Sequence, residues 1–204
     1  MSILTDELGY IWDWLKALDF DFVDCYNPGL SRQQIDEIVK DLPFKLSDEI
    51  YELYQWWNGF AFDYNLAVKP FLFPEQLSND VPITFGSLQD SVYDYKTILE
   101  ATKGIDGYWD KKWFPIAAYE CKRRLYVVGD LNPSPVYLWD VDCLNYTKRV
   151  YKNLTSMISV IAECCELGLY QLVPDEYGEK DDMIIRIDEE KLELEKEIYR
   201  RYNS

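Results

Sequence analysis

The spacing of apolar residues changes along the chain, and this change constrains the fold more than any other feature of the sequence. Near the N-terminus, apolar side chains recur at intervals of three and four, which places them on one face of a helix. The pattern predicts a helix over residues 4–18, a second that begins after Ser31 and a third that begins after Ser47. Asn58 and Gly59 are predicted to end the third helix, since both tolerate the left-handed conformation of a helix C-cap.

After residue 59 the pattern becomes typical of strands. Residues 60–63 and 66–73 are short apolar segments interrupted by prolines, which indicates edge strands and loops. Helical spacing returns at residues 87–103 and again from Leu154 to Gly168. Between these helices lie three β-branched and aromatic segments separated by short polar turns, the arrangement of an antiparallel meander: residues 113–119, 124–128 and 136–139.

The last 30 residues are richer in charge than the rest of the chain. Residues 175–204 hold 11 acidic and 6 basic residues and contribute −5, so −11 of the net charge of −16 lies in residues 1–174. Asp188 is predicted to cap a helix that runs through Tyr199. The sequence therefore predicts one domain over residues 1–174 and a charged strand and helix extension over residues 175–204.

The charge and the missing histidine exclude several classes of function. With 37 acidic against 21 basic residues, the chain lacks the basic surface that displaces counterions from nucleic acid. The absence of histidine excludes Ser-His-Asp and Cys-His catalysis and every histidine-containing zinc site. No phosphate-binding glycine motif or nucleophile elbow occurs, and pairs of carboxylates arise by chance among so many acids. We therefore expect no enzymatic activity, no metal and no cofactor.

The cysteines and the apolar segments indicate a cytoplasmic protein without a membrane span. The five cysteines are odd in number and show no C-x-x-C spacing, which argues against a disulfide framework or a zinc knuckle. Cys164 and Cys165 lie in an apolar helical pattern, so we expect buried, unreactive thiols. The longest stretches without a charge are ten residues, too short to cross a bilayer, and the first residues lack the basic region of a signal peptide.

Several segments occur in the order typical of a known family. Residues 42–59 contain a Leu-Pro pair, a helical pattern and an Asn-Gly pair, and residues 113–117 contain a Pro-Ile-Ala strand core. Together with the strand patterns at 125–130 and 134–140 and the helical pattern at 153–167, they resemble the SUKH superfamily. That superfamily includes Smi/Knr-type fungal cell-wall regulators and bacterial toxin-immunity proteins. The resemblance covers residues 30–170.

The resemblance implies an α+β fold in which helices pack on one face of a mainly antiparallel sheet. It implies no enzymatic activity, and it implies a role in binding another protein, most often a toxin and frequently a nuclease. The predicted helix at residues 87–103 makes a longer insertion than the minimal domain needs, and the charged C-terminal segment has no counterpart in the signature. The matching residues are explained as turn, cap and core positions rather than as a binding site: Leu42, Pro43, Asn58, Gly59, Pro115 and Trp139.

Acidic residues at the ends of predicted strands and two tryptophans are the candidates for a partner-binding face. A dense acidic surface speeds encounter with the basic cleft of a nuclease, although the same charge also keeps a protein soluble. The close tryptophan pairs at 12 and 14 and at 56 and 57 lie on predicted helices, where only one ring of each pair can face the core. Trp14 or Trp56 is therefore expected to be either partly exposed or packed under a loop. The candidates are Glu120, Asp130, Asp140, Asp142, Trp14 and Trp56.

These observations predict a non-enzymatic domain whose partner is a protein, not nucleic acid. The first hypothesis is an immunity protein that neutralises a cationic, nuclease-type toxin by stoichiometric binding. The alternative is a regulatory scaffold of the Smi/Knr type without a toxin partner. A hydrolase based on paired carboxylates is the third hypothesis, and no motif supports it.

Overall fold

A computed structural model describes residues 2–18, 26–60, 84–119, 123–140, 146–174 and 183–204. The described residues form helices and antiparallel sheets, which confirms the predicted α+β class. The helices are α1 (Ile3–Ala17), α2 (Arg32–Val39), α3 (Asp48–Trp56), α4 (Leu88–Ala101), α5 (Leu154–Glu166) and α6 (Leu192–Asn203), with a 3-10 turn at Glu189–Lys191. The strands are β1 (Tyr26–Pro28), β2 (Trp57–Phe60), β3 (Thr84–Phe85), β4 (Trp113–Tyr119), β5 (Arg123–Val128), β6 (Val136–Asp140), β7 (Tyr146–Tyr151), β8 (Tyr170–Pro174) and β9 (Met183–Ile187).

Local side-chain hydrogen bonds set where several helices begin. The Ser31 hydroxyl accepts a hydrogen bond from the Gln34 amide, and the Gln34 side chain accepts one from the Ser31 amide, which confirms the predicted cap of α2. Ser47 is the N-cap of α3, but its hydroxyl makes no capping hydrogen bond. Asp188 caps the 3-10 turn that leads into α6 rather than α6 itself.

The prediction that Asn58 and Gly59 form the C-cap of a helix is wrong. Helix α3 ends at Trp56, Trp57 is already extended with φ −156°, and Asn58 and Gly59 belong to β2. Their role is tertiary, because the Asn58 Oδ1 atom accepts a hydrogen bond from the Leu88 amide at 2.8 Å. Asn58 thereby satisfies a free amide at the start of α4, which lies 30 residues away along the chain.

The main sheet is antiparallel and has the strand order β3-β4-β5-β6-β7. Strand β4 has the predicted bounds, whereas β7 was not predicted, because its charged residues hide the apolar alternation. Residues 61–63 and 66–73, predicted as edge strands and loops, lie outside the described residues.

One face of this sheet shares the main apolar core with the helices. Phe114, Leu125 and Val136 from the sheet lie in one cluster with Leu8 of α1 and Met157 of α5. Helix α5 is the centre of this arrangement, since it contacts α1 and α6 and most of its residues are buried. Ile185 of β9 and Ile198 of α6 lie in the same core, so the charged C-terminal segment packs on the rest of the chain. No described helix is long and apolar enough to span a bilayer.

Candidate partner-binding surface

The structure does not bring together the two predicted acidic candidates that it describes. Glu120 and Asp142 lie outside the described residues. Asp140 ends β6 beside the first residue of β5, whereas Asp130 follows the last residue of β5, so the two carboxylates lie at opposite ends of one hairpin.

Asp130 is exposed, but its carboxylate makes hydrogen bonds that stabilise the turn after β5. It has a positive φ of 66°, and its carboxylate accepts hydrogen bonds from the Lys45 amide at 3.1 Å and from Lys112 Nζ at 2.9 Å. The hydrogen bond from Lys112, followed by that from the Lys45 amide, lowers the pKa of this carboxyl below its usual value. Asp130 therefore joins the segment before α3 to the β4 and β5 strand ends.

Asp140 does not present its carboxylate at a strand end as expected. It is 4% exposed, and its carboxylate accepts a hydrogen bond from Arg123 Nε at 2.8 Å. The expectation of an accessible loop acid is therefore wrong for this residue, because Arg123, its partner across the strands, supplies a counter-charge beside the buried carboxylate.

Both candidate tryptophans are half-buried and packed against other rings. Trp14 meets Tyr170 edge-on at a centroid distance of 6.5 Å, and Trp56 meets Trp12 edge-on at 6.0 Å. Trp56 also contacts Trp57 at 6.0 Å. This packing gives both candidates a structural role on the helical side of the molecule.

The family-signature residues differ in their exposure. Gly59, Pro115 and Trp139 are buried, Leu42 packs against the core and Pro43 is exposed in the turn between α2 and α3.

The opposite face of the main sheet carries a second apolar cluster that the sequence analysis missed. Tyr126 and Tyr137 are direct cross-strand partners, and they alternate with the residues that enter the main core. The unbroken apolar run in β5 could have revealed this second cluster. Consecutive apolar residues in a strand point to opposite faces of the sheet, so such a run indicates that both faces are buried. We call this surface the outer aromatic face, which comprises Tyr108, Trp109, Trp113, Tyr126, Tyr137 and Trp139.

The rings of the outer aromatic face are stacked across three strands. Trp113 of β4 stacks on Tyr126 of β5 at 4.6 Å, and Tyr126 stacks on Tyr137 of β6 at 5.3 Å with 11° between the planes. Trp109 meets Trp113 and Trp139 edge-on, each at 5.3 Å. Edge-on and offset contacts of this kind are the favoured aromatic geometries, so the rings hold one another in place.

The outer aromatic face is only partly covered. Ile98 of α4 packs into it, and Tyr126 and Trp139 are buried, while Tyr108, Trp113 and Tyr137 are half-buried. Burial raises the pKa of the Tyr126 hydroxyl, so this ring stays neutral at physiological pH. The outer aromatic face is therefore a packed, uncharged group of aromatic rings that is partly exposed to solvent.

An ion pair links α4 to β5 beside the outer aromatic face. Arg124 Nε and Nη2 donate to the Asp94 carboxylate at 2.6 and 3.1 Å, and the Arg124 side chain is 8% exposed. This two-point contact fixes α4 against β5. It also explains how the charged side chain of Arg124 can be buried in β5.

The described residues show no arrangement suited to catalysis by thiols or metals. Cys164 and Cys165 are buried as expected, and burial raises the pKa of the Cys164 thiol to about 12, so it is protonated at neutral pH. Within the described residues, no group of three potential ligands is arranged to hold a metal ion.

Carboxylates crowd together where α1 meets α5. Burial first, and then the charges of Glu166, Glu163 and Asp6, raise the pKa of Glu7 above its usual value of 4.5. Arg201 Nη1 offsets part of this charge by donating to both oxygens of Glu163 at 2.7 and 3.0 Å.

We expect Glu7→Gln to raise stability at neutral pH. Because the pKa of Glu7 is raised in the folded state, this group costs stability as pH rises through that pKa. The gain at pH 7 is expected to be small, roughly a few tenths of a kcal/mol, since the carboxylate is mostly solvated. Urea unfolding at pH 7 and at pH 4 measures it, and the gain must vanish below about pH 4.5. Glu100→Gln, at an exposed acid paired with Lys103, is the control, and an equal gain there would contradict the interpretation.

Comparison with known proteins agrees with the resemblance seen in the sequence. No curated protein matches the chain. A family model, described as the SMI1 / KNR4 family (SUKH-1), matches residues 29–160, which is more than half of the chain. The matched residues run from the segment before α2 into α5 and include the whole outer aromatic face. The chain belongs to the SMI1 / KNR4 family (SUKH-1).

Proposed function

We propose that this protein is a non-enzymatic binding domain that neutralises a cationic toxin by forming a stoichiometric complex with it. Family membership supports an immunity-type or regulatory role. The observation that carries the proposal is the outer aromatic face, where Tyr108, Trp113 and Tyr137 are half-buried and rigidly stacked.

Rings of this kind suit a protein interface. Tyrosine and tryptophan are enriched at the energetically important positions of interfaces, because they bury a large area with few rotatable bonds. Here the stacked neighbours already restrict Trp113 and Tyr137, so little side-chain entropy is lost when a partner covers them.

The charge of the chain supports a cationic partner. The net charge is −16, and Asp106 and Asp110 are exposed on the same loop that carries Tyr108. An arginine or lysine side chain of a partner can contact a ring face and these carboxylates together. The summed negative potential also speeds encounter with a basic surface.

Binding to the protein encoded by the neighbouring gene, measured by calorimetry with the full chain, tests the proposal. We expect a 1:1 complex whose affinity falls with rising salt. Trp113→Ala and Tyr137→Ala are each expected to weaken it about tenfold, equivalent to about 1.4 kcal/mol. Tyr93→Ala is the matched control, because this ring is 73% exposed on α4 and is not part of the outer aromatic face.

Each part of the proposal has its own contradicting result. No complex at low salt would exclude the neighbouring gene product as the partner. Affinity that does not respond to salt would contradict the role of charge. If Tyr93→Ala weakens the complex as much as Trp113→Ala does, the outer aromatic face is not the interface.

The regulatory scaffold of the Smi/Knr type is the second candidate, and the same family membership supports it. It would use the same binding surface with a different partner. A toxin-activity assay separates the two roles, because an immunity protein abolishes the toxin's activity at a 1:1 ratio. A complex that leaves its partner fully active would favour the scaffold.

A further inference from the structure

Hydrogen bonds join the last turn of α6 to the end of β7. The Tyr199 hydroxyl donates a hydrogen bond to the Val150 carbonyl oxygen. The Lys152 amide donates one to Asn203 Oδ1 at 3.0 Å, and Asn203 Nδ2 donates one to the Tyr199 carbonyl oxygen at 2.9 Å. Because β7 is an edge strand of the described sheet, the first two of these bonds satisfy main-chain groups at its end that no further strand pairs with.

A cavity of about 430 Å³ lies between these two elements, and we call it the α6–β7 pocket. Its walls include three basic residues, since Arg149 lies in β7, Lys152 directly follows β7 and Arg200 lies in α6. Two neutral polar residues of the lining already make hydrogen bonds: Asn203 bonds to the main chain as described, and the Ser204 hydroxyl donates to the Arg201 carbonyl oxygen. The three cationic side chains therefore determine what the pocket attracts.

The ion pairs within the described part of the chain do not involve these cations. Arg149, Lys152 and Arg200 are exposed, and none of them takes part in an ion pair between described residues. Two acids of the neighbouring helices, Glu163 and Glu193, pair with other residues.

The nearby acids and their partners can be assigned individually. Glu193 pairs with Lys196 at 2.6 Å, although Arg200 also acts on it electrostatically. Glu163 pairs with Arg201 at 2.7 Å. Arg149, Lys152 and Arg200 thus form a local group of three cations on a chain whose net charge is −16.

We propose that the α6–β7 pocket binds the phosphoryl group of a small phosphorylated molecule. Guanidinium groups present N–H donors in a planar arrangement that matches phosphate oxygens, and lysine adds a point charge. The cavity volume lies in the range of small-molecule sites. Arg200 lies outside the residues matched by the family model, so this site is additional to the protein-binding role proposed above.

Titration of the full chain with inorganic pyrophosphate, followed by nuclear magnetic resonance, tests the proposal. We expect saturable binding at one site, with the largest amide shifts at Lys152 and Asn203. The double variant Arg149→Gln/Arg200→Gln should weaken binding at least tenfold, and Lys152→Gln should weaken it less. Lys96→Gln is the matched control, because Lys96 is exposed on α4 beside the opposite edge of the sheet.

Two further ligands define the chemistry. Adenosine diphosphate that binds more tightly than pyrophosphate would identify a nucleotide site, and equal affinity would identify a site for the phosphate groups alone. Three results would overturn the proposal: no saturable binding of either ligand, unchanged binding by the double variant, or binding of a glutamate-rich peptide without binding of pyrophosphate.

Discussion

Replacing Gly59 with alanine is expected to lower the free energy of unfolding by about 2–5 kcal/mol. Gly59 has a φ of +65°, a left-handed conformation that costs any other residue energy, and its missing Cβ position lies 2.3 Å from the Gly86 carbonyl oxygen. The contact is with backbone, so no side chain can turn aside to relieve it. The strain would fall on the junction between β2 and α4 that Asn58 also holds.

Gly104→Ala is the matched control for this variant. Gly104 also has a positive φ, of +84°, but nothing lies within 4 Å of its missing Cβ position. The free energy of unfolding of this variant should fall by about 1 kcal/mol, the cost of placing alanine in a left-handed conformation alone. Urea unfolding of both variants measures the difference, and equal losses would show that the close approach of Gly59 to Gly86 carries no cost.

Leu8→Ala is expected to lower the free energy of unfolding by about 2–5 kcal/mol. Leu8 is 2% exposed and lies where α1 packs on α5. Truncation leaves a cavity, since the neighbouring side chains of a packed core relax only partly. Helix α1 precedes the residues that the family model matches, so this variant measures how much the flanking helix adds to the stability of the domain.

Ile3→Ala on the same helix serves as the comparison. Ile3 is 66% exposed, so its truncation should change stability by no more than about 0.5 kcal/mol. Thermal unfolding of both variants distinguishes them. A Leu8→Ala variant that unfolds like Ile3→Ala would mean that α1 contributes little to the core.

Features that depend on neighbouring residues were predictable. The cap of α2 at Ser31 requires only Gln34, three residues away, so the sequence is enough to place it. The bounds of β4 follow from its apolar and aromatic residues and the turns around it. Burial of Cys164 follows from the helical spacing of apolar residues around it.

Features that depend on distant residues were not predictable. Asp140 resembles any acid at a strand end until the pairing of β5 with β6 places Arg123 beside it. Strand β7 was missed because Lys148 and Arg149 hide its pattern, and it forms by pairing with β6. The outer aromatic face needs rings from three strands and from the loop that carries Trp109.

The sequence by itself determined the α+β class, the family, the start of α2 and the absence of histidine chemistry. Only the tertiary structure decided which residues form a common surface. It placed Asp130 and Asp140 at opposite ends of one hairpin, and it stacked the rings of Trp113, Tyr126 and Tyr137 on the same face of the sheet. The physical reason is the range of the interactions. Caps, turns and periodicity act over a few residues, whereas burial and ion pairing depend on strand register between residues far apart in the chain.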